Sequence, residues 1–269
     1  MTSVLRPIPY VSPWKFFLLT FVLSWAIWIP LDLSHFGVGP FPVLEPISGL
    51  VRLLGVLMPA VAAIILAGRS GGRTGIGNML SRLGIWRVGW NWWAAALFIY
   101  PALLAIAALV YNWYAGAPVI IFTPPASLSV LLVNLAFLLI AALGEEIGWR
   151  GLALPSMQLN RSALTSSVIL GLCWGIWHLP FWLLMDSLDQ FGLGYLVLDF
   201  LLLPITFFIT WLYNHGRFSL LLPVAFHLVF NIVNTSLLPV TADMGAFTVF
   251  IILNWVVSLL IIRRLEPNQ

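Results

Sequence analysis

The sequence predicts an all-α, polytopic transmembrane bundle of about eight spanning helices, and three observations carry that prediction. Of the 269 residues, 61% are hydrophobic and only 8% are charged, a balance with more apolar surface than a water-soluble domain can bury. Apolar stretches near the length of about 20 residues that a bilayer crossing requires recur along the whole chain. Finally, the basic residues fall almost entirely into alternate connections between those stretches. With no tandem repeat or soluble linker in the sequence, the expectation is one integral-membrane domain over 1–269, its motif-bearing core at about 127–238.

In order, the spans are expected at about Trp14 to Leu31, Ile47 to Ala67, Trp90 to Tyr111, Ser127 to Ala142, Ala163 to Leu184, Tyr195 to Tyr213, Leu220 to Leu238 and Phe247 to Ile262. Arg6, Pro7, Pro9, Pro13 and Lys15 lie before or at the start of the first, which ends in bulky residues rather than a small-residue cleavage site, so it is expected to be retained. Gly68 to Arg87, rich in Gly, Ser and Arg, reads as a polar connection. The third span is flanked by Trp86, Trp90, Trp92 and Trp93 at one end and Tyr111, Trp113 and Tyr114 at the other, the pattern of interfacial aromatic belts. Leu152 to Arg161 reads as a short connector in the membrane surface. Cys173 is the single cysteine, which excludes an intramolecular disulfide.

A cytoplasmic N-terminus places Arg6, Lys15, Arg69, Arg73, Arg82, Arg87, Arg150, Arg161, Arg217, Arg263 and Arg264 on the inner side and leaves only Arg52 outside. An even number of spans returns the C-terminus to the same side. The expectation is therefore a multi-pass plasma-membrane protein with both termini cytoplasmic, in contact with lipid and not with nucleic acid.

Chemistry concentrates where charge is most costly. Glu145, Glu146 and Arg150 follow the fourth apolar stretch, and an ionisable side chain at membrane depth costs at least about 2.5 to 3.5 kcal/mol on insertion scales. Glu146 and Arg150 stand four apart with the acid first, the favourable order for a pair on one helical face. Glu145 projects about 100° away and is free for other work. Further polar groups sit in otherwise apolar helices: His178 one turn after Trp174, and His227 with Asn231 one turn beyond it. Gly171 and Gly175 precede His178 at helical spacing and would let another helix approach closely.

Each of these also has a bland reading. A membrane histidine often bonds a backbone carbonyl, Asn and His serve as interhelical glue, and the Glu146–Arg150 pair is expected to be structural. His35 and His215 fall in connections, Cys173 lies in an apolar setting that suits packing rather than nucleophilic attack, and Asp199 is an intramembrane acid whose partner the sequence leaves open. No His-Glu-x-x-His zinc motif, Gly-x-Ser-x-Gly elbow or phosphate-binding glycine loop occurs. One carboxylate and two imidazoles from three helices either hold a metal, Zn²⁺ being the alternative with Glu145, His178 and His227 as ligands, or activate water directly with no cofactor.

Glu145-Glu146-x-x-x-Arg150, Trp174-x-x-x-His178 and His227-x-x-x-Asn231, in this order on separate apolar helices, resemble the three signature motifs of the CAAX protease and bacteriocin-processing (CPBP) intramembrane proteases. The resemblance spans about Leu139 to Asn234, with Trp174 where phenylalanine is more usual. It implies intramembrane hydrolysis of a peptide bond in a membrane-associated or lipidated substrate. Glu145 would be the general base, His178 its assistant, and His227 with Asn231 the oxyanion side, with Glu146, Arg150 and Trp174 as structural support. Members of the family include type II CAAX prenyl endopeptidases and bacterial proteins tied to bacteriocin immunity, and the short chain is expected to be bacterial. A second class stays open: a transporter with a Glu–His proton relay, or a partner-binding scaffold built on the same cluster.

Overall fold

The computed structural model describes residues 7–38, 47–116, 127–183, 194–236 and 244–266, for the backbone alone at 181–183, 194–201, 235–236 and 244. The long helices are α1 (Pro13–His35), α3 (Met58–Leu80) with the short α2 (Ser48–Val56) ahead of it, α4 (Trp90–Ala115), α5 (Leu128–Gly148), α7 (Ala163–Leu183), α8 (Gly194–His215), α9 (Leu221–Ser236) and α10 (Met244–Ile262); α6 (Leu154–Gln158) is a short extension of α5. No strand occurs among the described residues, and the eight expected spans correspond to helical segments in order. Six of these runs are long and apolar enough to cross a membrane, whereas α9 is a shorter apolar helix.

The helices form a closed circuit. α1 packs on α3 and α7, α7 on α8, α8 on α10, α10 on α4, α4 on α9, α9 on α5, and α5 on α3. Glycines set the closest of these approaches. A Cβ on Gly144 would lie 2.7 Å from the Leu57 side chain, and one on Gly148 would lie 2.6 Å from Pro59, so α5 rests on the α2–α3 junction because those two positions carry no side chain.

Two expectations require correction. The polar connection from Gly68 is largely helical: α3 continues to Leu80, broken only at Gly72, whose φ of 59° and ψ of −153° suit glycine. Beyond that break the chain folds back, so that Gly75 meets the Ala67 carbonyl and Gly68 faces Ile76. Likewise the fourth span does not stop at Ala142. The helical run continues from Leu128 to Gln158, through a wide π-helical turn at Trp149–Ala153, so the expected surface connector at Leu152 is instead the continuation of this helix.

Hydrogen bonds gather one end of the bundle. Asn78 Nδ2 donates to Pro7 O at 3.0 Å and Arg217 to Arg87 O at 3.0 Å; Asn214 Nδ2 donates to Leu265 O at 2.7 Å and Ala163 N to Glu266 Oε1 at 2.8 Å. The two described chain ends, Pro7 and Glu266, therefore lie together at the end rich in arginine, the arrangement an even number of crossings gives.

Candidate active site

The continuation of α5 explains how its carboxylates reach partners deep in the bundle. Glu145 lies thirteen residues before Gln158, about 20 Å at 1.5 Å per residue, and Trp174 lies eleven residues into α7, about 16 Å. The two helices run antiparallel from the same end, so these residues meet at similar depth. Had α5 ended at Ala142, as the sequence suggested, α7 would have needed to tilt or start later.

Glu145, Glu146, Arg150, Trp174 and His227 are all buried, with exposures of 4%, 0%, 0%, 1% and 2%. Arg150 Nη1 donates to Glu146 Oε1 at 2.8 Å, the expected pair one helical turn apart. The same oxygen receives Nδ1–H of His227 at 2.7 Å. With Nδ1 committed there, Nε2 of His227 turns towards Glu145 and stands 3.8 Å from its Oε1. The other Glu145 oxygen, Oε2, accepts the indole N–H of Trp174 at 2.6 Å. The Arg150 guanidinium lies 4.9 Å from the centre of the Trp174 ring, and that ring is edge-on to His227 at 5.4 Å. One cluster from α5, the π turn, α7 and α9 thus holds both glutamates, the arginine and an imidazole.

His178 joins the cluster through Trp174. Its Nδ1 bonds the Trp174 carbonyl at 2.8 Å, which leaves Nε2 as the ring nitrogen for other partners, and its ring packs edge-on against Trp177 at 4.6 Å. Asn231 is half-buried one turn beyond His227 on α9 and shares its face. The close approach that Gly171 permits is to Leu203 and Thr206 of α8, not to α5. The α5–α7 gap is bridged by the Trp174 indole instead. Sequence reasoning placed Trp174 among the supports but missed this bond; the signal lay in the tryptophan itself, since phenylalanine at that position has no N–H to give. Asp199 falls in α8, but its side chain lies outside the described residues.

Loss of a hydrogen bond to a charged group costs about 1.5 to 3 kcal/mol, which at 1.36 kcal/mol per decade is about 10- to 100-fold in rate. Trp174→Phe is therefore expected to lower kcat by about that factor while retaining fold and KM, because the ring remains and only the grip on Glu145 is lost. Steady-state kinetics beside a thermal melt checks it. A KM effect with unchanged kcat would place Trp174 on the substrate rather than on the carboxylate.

A resident metal was the alternative reading of Glu145, His178 and His227. Among the described residues, no three His, Cys, Asp or Glu side chains gather so as to hold an ion. His227 Nδ1–H is held by Glu146, as the non-ligating nitrogen of a metal-bound imidazole usually is, and its Nε2 stands 3.8 Å from Glu145 Oε1.

Comparison with known proteins converges on the same region. Residues 126–233 match the family described as type II CAAX prenyl endopeptidase Rce1-like. The chain is also 27% identical over 243 residues to CAAX prenyl protease 2 of Methanococcus maripaludis, covering 86% of this chain and 87% of the relative. The matched stretch contains Glu145, Glu146, Arg150, Trp174, His178, His227 and Asn231.

Proposed function

We propose, from the premise that the motif-bearing core is that of an Rce1-like type II CAAX prenyl endopeptidase, that the chain hydrolyses a peptide bond of a membrane-associated, lipid-bearing peptide with water activated at Glu145. The observation that supports this most is the asymmetry between two adjacent carboxylates. Glu146 is neutralised by Arg150 and also holds His227, whereas Glu145 is held at one oxygen by Trp174 and presents the other towards His227 Nε2.

In this reading a water lies between Glu145 Oε1 and the scissile carbonyl. Its proton passes to Glu145 as its oxygen bonds to the carbonyl carbon, and the carbonyl electron pair moves onto oxygen. That oxyanion faces the side-chain amide of Asn231, which donates to it, and the Nε2 edge of His227; a donor of this kind contributes about 3 to 4 kcal/mol. Collapse breaks the C–N bond, and the proton on Glu145 goes to the leaving amine. His178 steadies the Trp174 turn that positions the base. No cofactor takes part. The whole chain acts as one membrane domain, with the arginine-rich end in the cytoplasm, so a substrate anchored in the inner leaflet reaches the site from that side.

The test is cleavage of a farnesylated or acylated peptide by the purified, detergent-solubilised protein, read by mass spectrometry with and without a strong chelator. Fragments from one cleaved bond are expected, at a rate that the chelator leaves unchanged. Loss of activity on chelation and its return with Zn²⁺ would reassign Glu145, His178 and His227 as ligands.

A further inference from the structure

Arg82 is a buried cation with no anionic partner among the described residues. It sits in the tight turn Ser81–Gly84 that ends the α3 hairpin, with 8% of its surface exposed. Its Nη1 donates to the Tyr213 hydroxyl, and its guanidinium lies 5.7 Å from the centre of the Tyr213 ring and 5.5 Å from that of Phe218. No carboxylate pairs with it among the described residues, and its Nε has no hydrogen-bond partner there. A guanidinium withdrawn from water and matched only by a phenol and two ring faces is poorly compensated.

The space beside it suggests what compensates it. Arg82, Pro155, Gln158, Leu159, Tyr213 and Phe218 line a cavity of about 210 Å³, smaller than the roughly 300 to 1,000 Å³ of drug-sized ligand pockets and suited to a single small polar group. Gln158 Nε2 is a second buried donor without a partner among the described residues. The Tyr213 hydroxyl accepts from Arg82 and so keeps its own proton to give. The lining thus offers three donors and no acidic side chain. Its roof is held in an unusual backbone: Arg217 and Phe218 have φ of 59° and 57°, a left-handed conformation rarely adopted by residues of this size. It sets Phe218 over Arg82, while the Leu220 N–H binds the Arg82 carbonyl at 3.1 Å.

We propose that this cavity, between the Ser81–Gly84 turn, α6 and the Tyr213–Phe218 segment, binds a phosphate oxyanion through Arg82, Gln158 and Tyr213, supplied by the headgroup of an anionic phospholipid or by free phosphate. Its position at the arginine-rich end of the bundle, with Leu159 63% exposed at the rim, fits a lipid whose phosphate enters while its chains follow the apolar exterior. Because α6 continues the helical run that carries Glu145, Glu146 and Arg150, an occupant here ties that run to α8.

The experiment is native mass spectrometry of the full chain in detergent, titrated with phosphatidylglycerol or with diacylglycerol of identical chains, beside thermal melts in sodium phosphate or in sodium chloride of equal ionic strength. Phosphatidylglycerol is expected to bind at least about tenfold more tightly than diacylglycerol, and Arg82→Met to remove that preference. Gln158→Leu, which leaves the Arg82–Tyr213 contact in place, is expected to weaken it several-fold and decides the matter if Arg82→Met does not fold. Stabilisation by inorganic phosphate without lipid preference, lost in the variants, supports the same site with the free ion as its occupant. Neither lipid preference nor phosphate stabilisation in the wild type, or either effect unchanged in the folded variants, overturns the proposal. None of these readouts uses peptide hydrolysis, so failure here is separate from failure of the protease reading.

Discussion

Glu145→Gln is expected to reduce peptide hydrolysis by about two to four orders of magnitude, the usual contribution of a positioned general base, while the protein still folds. Glutamine keeps the shape of the side chain and a carbonyl oxygen that can accept the Trp174 indole N–H, so the bond now 2.6 Å long has a successor. What disappears is the capacity to take a proton from water at the atom facing His227 Nε2. Side-by-side measurement of kcat and melting temperature checks the claim. A variant that melts like the wild type but turns over at its rate on a verified substrate removes Glu145 from the chemistry.

Glu146→Gln is expected to act differently, because one oxygen of Glu146 holds both Arg150 at 2.8 Å and His227 Nδ1 at 2.7 Å. Removing one member of a buried ion pair typically costs about 3 to 5 kcal/mol, since the charge left behind has neither water nor a counterion. Arg150 is fully buried, and its Nε and Nη2 have no hydrogen-bond partner among the described residues, so it has little else to fall back on. The expected result is a marked drop in melting temperature and expression together with loss of activity, the latter because the His227 ring loses the anchor that aims Nε2. Melting at the wild-type temperature would show that Glu146 is not the counterion of Arg150.

The residues that differ in these two predictions also show what the sequence could reveal. The Glu146–Arg150 bond was legible because both ends lie on one helix, where spacing fixes proximity. The burial of Glu145 and His227 was legible from the cost of charge among apolar residues. Which glutamate His227 touches was not, because that depends on how α9 rotates against α5; the ring lies between the two carboxylates, one on each nitrogen. The depth of the site was misread for a local reason. A π turn at Trp149–Ala153 lets the helix continue past Gly148 into a segment that polar residues and Pro155 made look like a connector. Gly72 hid a helical hairpin in the same way. The role of Trp174 was out of reach because side-chain reach across the α5–α7 gap is a property of the packed bundle and not of spacing on either helix.

The measurement that bears most directly on water activated by Glu145 is a single-turnover cleavage of a lipidated peptide in H₂¹⁸O, with wild type and Glu145→Gln compared at equal folded concentration by mass spectrometry. The expected result is one ¹⁸O in the new carboxylate of the wild-type product, with Glu145→Gln forming product about two to four orders of magnitude more slowly. Product carboxylate free of ¹⁸O, or cleavage by Glu145→Gln at the wild-type rate, would contradict it.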